Sequence, residues 1–433
     1  MSADWTVWIR IHTVRSWTSP GTVPAMELTL TGLFYVFVAA TLAPVALSLV
    51  PWLPLPGVVL EILLGVALGP LVLGLVDPGD EVISVLALLG VSMLLFFAGL
   101  ELDLRAIINP RIVRLALAYV LSLALALLVG TALSVAGVDL SPLFLMVLLT
   151  ATGLGVLLPI MKDAGYLDTE LGQVIFGACA IAEVVPLVLL STLFPPADST
   201  VLQQAGKIVI LIIVAAVAAF VILRSSDNPS ISGRLQRLED TTAQLRVRAT
   251  FLILLGLAAL ATRFEIEVIF AALAAGLVVG ASRKDALTHT VQLKKLEGAA
   301  FGIFIPVFFV STGINLDLSL LDDSLEAALL VPILLLALLL VRGLPVVLYR
   351  GLMTPRESLG TGLFQATSLS LLIAAAPVGL AAGAITESTS TALITAGMLS
   401  VIIYPALGKA VLGRGDDGLV DGRHTPAGQD QPV

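Results

Sequence analysis

Residues 150–190 read TATGLGVLLPIMKDAGYLDTELGQVIFGACAIAEVVPLVLL. Two apolar runs flank one polar loop, and runs of about 20 apolar residues (roughly 17–25) are long enough to cross a bilayer as helices. The first run contains the polar, glycine-rich stretch 150–155, and the second contains a single carboxylate, Glu183, followed by Pro186. This segment therefore predicts two adjacent membrane helices, of which the first is interrupted and the second carries a charge.

The composition of the whole chain agrees with that prediction. Of 433 residues 58% are hydrophobic and 12% charged, and the mean hydropathy is +1.05, against about 25% charged residues in soluble domains. The chain is predicted to be a polytopic all-α membrane protein. A net charge of −8 without a basic stripe argues against nucleic acid as a partner. A single cysteine, Cys179, excludes an intrachain disulfide.

Cutting the hydrophobic runs at clusters of Pro, Gly and charge predicts thirteen spans. The eighth and ninth are short and nearly continuous, so twelve is the alternative count. The predicted spans are 28–50, 55–75, 82–100, 112–136, 142–161, 170–194, 203–223, 249–262, 266–281, 298–313, 325–349, 358–382 and 387–411.

Basic residues test the count, because cytoplasmic loops collect Lys and Arg. With thirteen spans, Arg342 lies inside a span, four of the 23 basic residues fall on one face of the membrane, and the remaining 18 fall on the other. This asymmetry places the C-terminus in the cytoplasm and the N-terminus outside. The four residues of the outer face are Arg10, Arg15, Lys207 and Arg263.

The ends of the chain are polar. Residues 1–26 contain no signal-peptide core and are predicted to be a disordered extension, with Met26 an alternative start. Residues 27–412 form the membrane domain, with a cytoplasmic linker at 224–248. The Gly/Asp/Pro-rich tail 413–433 is predicted to be disordered and cytoplasmic. No nucleotide-binding domain is expected in this chain.

Two motifs recur seven spans apart. FFAGLELDL (96–104) in span three resembles FFVSTGINLDL (308–318) in span ten, and EILLGVALG (61–69) in span two resembles VIFAALAAG (268–276) in span nine. An odd offset gives the two copies opposite orientations, as in inverted-repeat transporters. We therefore predict two six-helix repeats, about 28–194 and 249–411, joined by a linker helix at about 203–223.

Under this repeat, span five corresponds to span twelve, and both are interrupted by hydroxyl-bearing residues. Span five contains Thr150 and Thr152, and span twelve contains Thr367 and Ser368. Irregular backbone at membrane depth is tolerated where it is buried in protein or lines a cavity. Close helix packing through small residues is the alternative explanation, but the matched positions favour two discontinuous helices around an ion site.

Glu183 is the deepest carboxylate in the sequence. Because Pro186 has no N–H group, the carbonyl of Ala182 loses its helical donor. A carboxylate next to such a carbonyl suits a dehydrated monovalent cation, for which a proton could compete. A structural Glu, hydrogen-bonded to a neighbouring span, is the alternative.

Arg342 lies about eight residues inside its span, roughly 12 Å from the cytoplasmic end. A buried guanidinium needs compensation, and Glu183 and Glu61 are the two candidate carboxylates. Glu61 opens span two, where a structural role near a membrane interface is the alternative.

Four stretches resemble the monovalent cation:proton antiporters, specifically family 2 of that superfamily. They are LEILLGVALGP (60–70), LALLGVSMLLFFAGLELDL (86–104), TATGLGVLLPIMKDAGYLDTELGQVIFGA (150–178) and IFIPVFFVSTGINLDL (303–318). Their order and spacing cover nearly all of residues 27–411. The resemblance implies a homodimer with a dimerisation domain and a moving core domain, in which spans five and twelve are unwound and cross.

The resemblance also bears on individual residues. The acidic pair of such antiporters falls on Ala182 and Glu183, so the second acid is kept as Glu and the first is lost. Arg342 matches a basic position before the second unwound helix. An Arg-Gly-Glu-Phe-like stretch found in many relatives reads ATSLS (366–370) here, so the role of its Arg–Glu pair does not carry over.

These features predict a transporter of the cell membrane and not an enzyme: a Na⁺ or K⁺/H⁺ antiporter working by alternating access. Glu183 would bind the proton or the cation, and Thr150 and Thr152 would complete its ligands. We expect no organic cofactor, and one proton per cation. The alternatives are a sodium-coupled symporter of a small organic anion and, in another class, a cation channel.

Overall fold

A computed structural model describes most of the membrane domain. Beyond a few isolated positions, the described residues are 30–49, 56–101, 111–153, 169–195, 200–226, 244–264, 268–281, 294–322, 325–349 and 353–412. The predicted N-terminal extension and C-terminal tail, and most of the predicted cytoplasmic linker, lie outside them.

Within these ranges the secondary structure is helical, apart from one isolated β-bridge between Leu140 and Ile385. A π-helical turn, Ala300–Phe304, leads into α10, and a 3₁₀ turn, Leu344–Tyr349, follows α12. The helices are α1 Leu30–Leu49, α2 Gly57–Leu68, α3 Glu81–Glu101, α4 Arg111–Val135, α5 Pro142–Leu149, α6 Glu170–Leu193, α7 Val201–Ser226, α8 Leu245–Arg263, α9 Val268–Ala281, α10 Ile305–Ile314, α11 Ser319–Asp322, α12 Leu325–Gly343, α13 Pro355–Gln365, α14 Ser370–Ala381 and α15 Glu387–Leu412.

The all-helical, multi-pass prediction is confirmed. Seven helices of the described chain are long and apolar enough to cross a membrane, and α13 with α14 makes an eighth if this bent pair is one span. Three shorter apolar helices coincide with α2, most of α7 and α9. The count of thirteen spans stays a prediction, because short helices do not meet the length criterion by themselves.

The half-helices α5 and α13 begin in the same way. Ser141 and Thr354 are their N-cap residues, and in each case proline occupies the first turn, where no backbone N–H is needed. Thr354 forms a capping box with Glu357. These signals are local in sequence, so they fix where each half-helix starts without help from the rest of the fold.

The helices pack as two sets. The first set contains α1–α3 and α8–α10, in which α3 packs extensively on α9 and α2 on α10. The second set contains α4–α6 and α12–α15, in which α15 packs on both α12 and α13. Contacts between the sets are sparser, and they run mainly through α6 and through the connecting helix α7.

Two close crossings hold the first set together, and glycine makes both possible. At the α2–α10 crossing, a Cβ on Gly65 would lie 2.1 Å from the carbonyl oxygen of Val310, and one on Gly313 would lie 1.9 Å from that of Ile62. Any side chain larger than hydrogen would therefore separate the helices.

The α3–α9 crossing repeats this geometry. A Cβ on Gly99 would lie 2.1 Å from the carbonyl oxygen of Leu273, and one on Gly276 would lie 2.0 Å from that of Phe96. At both crossings each glycine faces the carbonyl three residues before the partner glycine. The recurring sequence motifs thus supply both halves of two equivalent contacts.

We predict that Gly276→Ala destabilises the protein, because the new methyl overlaps the backbone of α3. Overpacking of this kind typically costs about 1–3 kcal/mol. The melting temperature in detergent should fall. Gly256→Ala is the matched control, since a Cβ at Gly256 in α8 meets nothing within 4 Å. Equal melting temperatures for the two variants would contradict a tight α3–α9 crossing.

Candidate functional site

The two interrupted spans meet inside the second set of helices. The half-helix α5 ends at Leu149, and residues 150–153 that follow are not helical. The half-helix α13 ends at Gln365, and α14 begins at Ser370 after a bend of 43°. Among the described residues, the first break begins at Thr150 and the second lies between Gln365 and Ser370, where the sequence predicted them.

Hydrogen bonds between the breaks show that they cross in contact. The N–H of Gly153 donates to the carbonyl of Thr367 at 3.0 Å. The hydroxyl of Thr152 donates to the carbonyl of Gln365 at 2.7 Å. Backbone groups released by unwinding one span thus find partners on the other span, as burial at membrane depth requires. We call residues 150–153 and 366–369 together the crossing.

Helix α6 passes beside the crossing and carries Glu183, whose side chain is only 2% exposed. Pro186 in the same helix leaves the carbonyl of Ala182 without its usual donor. The N–H of Thr152 takes that place at 3.2 Å. The sequence suggested that the Ala182 carbonyl would be free. In the structure it accepts from Thr152 instead and links α6 to the first break.

Arg342 on α12 is also buried, at 2% exposed. Its Nε donates to the hydroxyl of Thr152 at 3.1 Å, and its Nη1 donates to the hydroxyl of Ser122 at 3.4 Å. The guanidinium carbon lies 5.6 Å from the centre of the Tyr119 ring, within the range of a cation–π contact. Nη2 has no hydrogen-bond partner among the described residues.

The sequence predicted a carboxylate partner for Arg342, whereas the structure gives its Nε and Nη1 neutral hydroxyl partners. Glu61 lies on α2, in the first set, and is half-buried. Glu183 lies on α6, in the same set of helices as Arg342. Pairing of Arg342 with either carboxylate stays a prediction.

The hydroxyls of Thr150 and Thr152 are already engaged. The single O–H of Thr150 lies 2.9 and 3.0 Å from the carbonyl oxygens of Met146 and Val147, to one of which it donates, and its oxygen accepts from the Tyr119 hydroxyl at 3.2 Å. Thr152 accepts from Arg342 while donating to the second break. Both residues were predicted as cation ligands, and that role stays a prediction. In the structure the Thr152 hydroxyl joins the two breaks, whereas the Thr150 hydroxyl joins the end of α5 to α4.

The second break is attached to α15 by one hydroxyl. Ser400 Oγ accepts from the N–H of Ser368 at 3.1 Å and lies 3.0 Å from the Ser368 carbonyl oxygen, to which it can donate. It also lies 2.7 Å from the carbonyl of Gly397, one turn earlier. Ser368 Oγ and Ser370 Oγ are buried and have no hydrogen-bond partner in the described part of the chain.

Sequence reasoning missed several members of this site. Tyr119 and Ser122 on α4 contact Arg342, and Ser400 on α15 holds Ser368. A detectable signal existed for the first two, since polar residues three apart share one face of an otherwise apolar helix. A lone serine such as Ser400 gives no comparable signal.

Comparison with known families identifies the class of protein. The family model for the sodium/hydrogen exchanger, transmembrane, matches residues 37–413. This chain belongs to that family, which consists of transporters and not enzymes. The resemblance to cation:proton antiporters inferred from the sequence motifs is thereby confirmed.

Individual relatives have low sequence identity to this chain but match most of its length. YjbQ of Bacillus subtilis, provisionally named a Na⁺/H⁺ antiporter, is 28% identical over 390 residues, which is 86% of this chain and 61% of YjbQ. This chain therefore spans less than two thirds of that relative. GerN of Bacillus cereus, named a Na⁺/H⁺-K⁺ antiporter, is 28% identical over 83% of this chain and 91% of its own length. NhaS3 of Synechocystis, named a high-affinity Na⁺/H⁺ antiporter, is 26% identical over 77% of this chain and 72% of its own.

The fold is also similar to a solved structure. The sodium proton antiporter MjNhaP1 from Methanocaldococcus jannaschii superposes with a TM-score of 0.60, covering 89% of this chain and 99% of MjNhaP1. Sequence identity is 16%. At that identity the comparison supports the fold alone.

We predict that Arg342→Ala lowers the melting temperature in detergent, because it removes the donor to Thr152 and the charge over Tyr119. Hydrogen bonds to charged groups are each worth about 1.5–3 kcal/mol. The melting temperature of Arg342→Lys should lie between those of wild type and Arg342→Ala, since lysine keeps the charge but lacks the planar set of guanidinium donors. Arg248→Ala, at an exposed position on α8, is the control. An unchanged melting temperature for Arg342→Ala would show that the guanidinium does not hold the crossing.

Proposed function

We propose that the protein exchanges a monovalent cation, Na⁺ or K⁺, for H⁺ across the cytoplasmic membrane. The observation that carries the proposal is a buried carboxylate, Glu183, placed beside two crossed and unwound spans. Membership of the sodium/hydrogen exchanger family and the names of GerN and NhaS3 support the same activity.

Glu183 is the proposed carrier of both ions. A carboxylate with little access to water binds either a proton or a cation, and it does not remain charged and empty at low cost. Competition for the same two oxygens couples the fluxes, because release of one ion is favoured by arrival of the other. The gradient of either ion then drives the other, without ATP or an organic cofactor.

The architecture proposed around this site has thirteen spans in two inverted repeats. A two-fold exchange of the repeats would carry α2 onto α9 and α10 onto α3, and so would carry one glycine crossing onto the other. The matching contacts at Gly65–Gly313 and Gly99–Gly276 support this relation. Alternating access would then be movement of the second set of helices, as a core domain, relative to the first.

The proposed assembly is a homodimer joined through the first set of helices. Large apolar side chains such as Phe34 and Leu42 on α1 are exposed on the single chain, which suits contact with lipid or with a second copy. The excess of Lys and Arg in loops of one face supports a cytoplasmic C-terminus. The N-terminus is then outside.

Two other functions fit a multi-pass chain with crossed helices. A sodium-coupled symporter would take up a labelled organic anion, and a cation channel would conduct without compulsory exchange. Neither is favoured by the family membership. Flux in proteoliposomes that saturates with cation and reverses with the pH gradient distinguishes the exchanger from both.

We predict that Glu183→Gln abolishes exchange, because an amide neither takes up a proton near neutral pH nor supplies a negative charge. Glu183→Asp should retain part of the activity. The measurement is cation-driven pH change inside liposomes that contain a pH dye, with Na⁺, K⁺ and Li⁺ in turn. Glu387→Gln, an exposed position at the start of α15, is the control. Wild-type rates in correctly folded Glu183→Gln protein would rule out the proposed site.

We also predict that exchange is electroneutral. Ala182 stands where relatives carry a first acid, and a guanidinium such as that of Arg342 keeps its proton at physiological pH. Glu183 is then the single proton carrier, so one proton exchanges for one cation. The membrane potential would be clamped with K⁺ and valinomycin while Na⁺-driven pH change is followed. A rate or end-point that varies with potential would require a second titrating group, with Glu61 the first to test.

A further inference from the structure

Ser368 and Ser400, in the second break and on α15, have no role in the exchange proposed above. An offset of 215 residues aligns the two breaks, since it carries Ala151, Thr152 and Gly153 onto Ala366, Thr367 and Ser368. The same offset carries Glu183 onto Met398 on α15. The two breaks can therefore be compared position by position, and they are held in different ways.

The first break is held by backbone. The Ala182 carbonyl, released by Pro186, accepts from Thr152, and the N–H of Gly153 donates to Thr367. Apart from its contacts with the first break, the second break is attached to α15 by a side chain, because the single hydroxyl of Ser400 lies within hydrogen-bond distance of both the N–H and the carbonyl of Ser368.

In this arrangement the Ser368 side chain makes no hydrogen bond that supports the described part of the fold. Both backbone groups of Ser368 have partners, yet its Oγ is fully buried and has none among the described residues. A buried hydroxyl without a partner costs free energy. The hydroxyl avoids this cost in free energy only if a bound ion or water molecule pairs with it.

The place of Ser368 suits a cation. Ser368 follows Thr367, which is hydrogen-bonded to Gly153, and Glu183 follows Ala182, which is hydrogen-bonded to Thr152. Thr152 and Gly153 are consecutive residues, with α-carbons about 3.8 Å apart. The residue before Ser368 and the residue before Glu183 are therefore held by neighbouring positions of the first break. The C-terminal ends of α5 and α13, the negative ends of their helix dipoles, also lie at the crossing.

Competing hydroxyl ligands are less suitable. The hydroxyls of Thr150 and Thr152 each already donate one hydrogen bond and accept another. Ser370 Oγ has no partner either, but Ser370 is the first residue of α14 and lies outside the crossing.

We propose that Ser368 Oγ is a direct ligand of the transported cation and that Ser400 is the positioning residue that aims it. The proposal rests on the exchange activity proposed above, and it concerns which neutral oxygen sets the choice among cations. A hydroxyl is a hard oxygen ligand of the type that Na⁺ and Li⁺ prefer.

The test compares cation preference in proteoliposomes for wild type, Ser368→Ala and Ser368→Cys. Cysteine keeps nearly the volume of serine but replaces the hard oxygen with a soft sulfur. Both variants should raise the Na⁺ concentration for half-maximal exchange by about five-fold, and both should change the Li⁺:Na⁺:K⁺ ratio. This magnitude is that expected for loss of one neutral ligand.

Ser400→Ala should change the cation ratio in the same direction and, unlike Ser368→Ala, should also lower the melting temperature. Ser191→Ala is the matched control, since Ser191 Oγ on α6 is likewise buried and without a hydrogen-bond partner in the described structure, but lies two turns beyond Glu183. It should change neither quantity.

Three results would overturn the proposal. One is an unchanged cation ratio in both Ser368 variants, which would show that Ser368 pairs with Glu183 or with water and not with the cation. Another is a change confined to Ser370→Ala, which would reassign the ligand. The third is an equal effect of Ser191→Ala. Absence of exchange in the wild type would instead contradict the proposed function, so the two failures are distinguishable.

Discussion

The structure depends on one requirement, which is that the backbone groups released at the two breaks must be paired inside the protein. Hydrocarbon offers no hydrogen bonds, so an unpaired N–H or carbonyl at membrane depth costs several kcal/mol. Thr152 meets much of this requirement. Its N–H links to α6, its hydroxyl donates to the second break, and the same hydroxyl accepts from Arg342. One residue thereby joins four of the spans.

The guanidinium of Arg342 is part of this hydrogen-bond network. A guanidinium carries five donors and a permanent charge, and here two of its nitrogens donate to hydroxyls while its face lies against an aromatic ring. The partners are weak individually, but they surround the charge on several sides. Arg342 therefore belongs to the same hydrogen-bond network as the carbonyl of Ala182, the residue before Glu183.

Much of this could be predicted from the sequence, because the signals are local. Hydroxyl-bearing residues marked both breaks, glycines marked the first as well, and Pro186 showed that the Ala182 carbonyl would lack its helical donor. The replacement donor could not be predicted, since local pattern does not encode contacts such as Thr152 with Gln365 or with Arg342, which are 213 and 190 residues apart. Short helices such as α5, with 8 residues, are also invisible to a length criterion.

The only cysteine of the chain, Cys179, lies fully buried one turn before Glu183 on the same face of α6. A thiol reacts with a water-borne reagent only when water reaches it, so this side chain is a built-in reporter of hydration next to the carboxylate. The protein therefore carries its own reporter of water access beside Glu183, with no cysteine to remove and none to introduce.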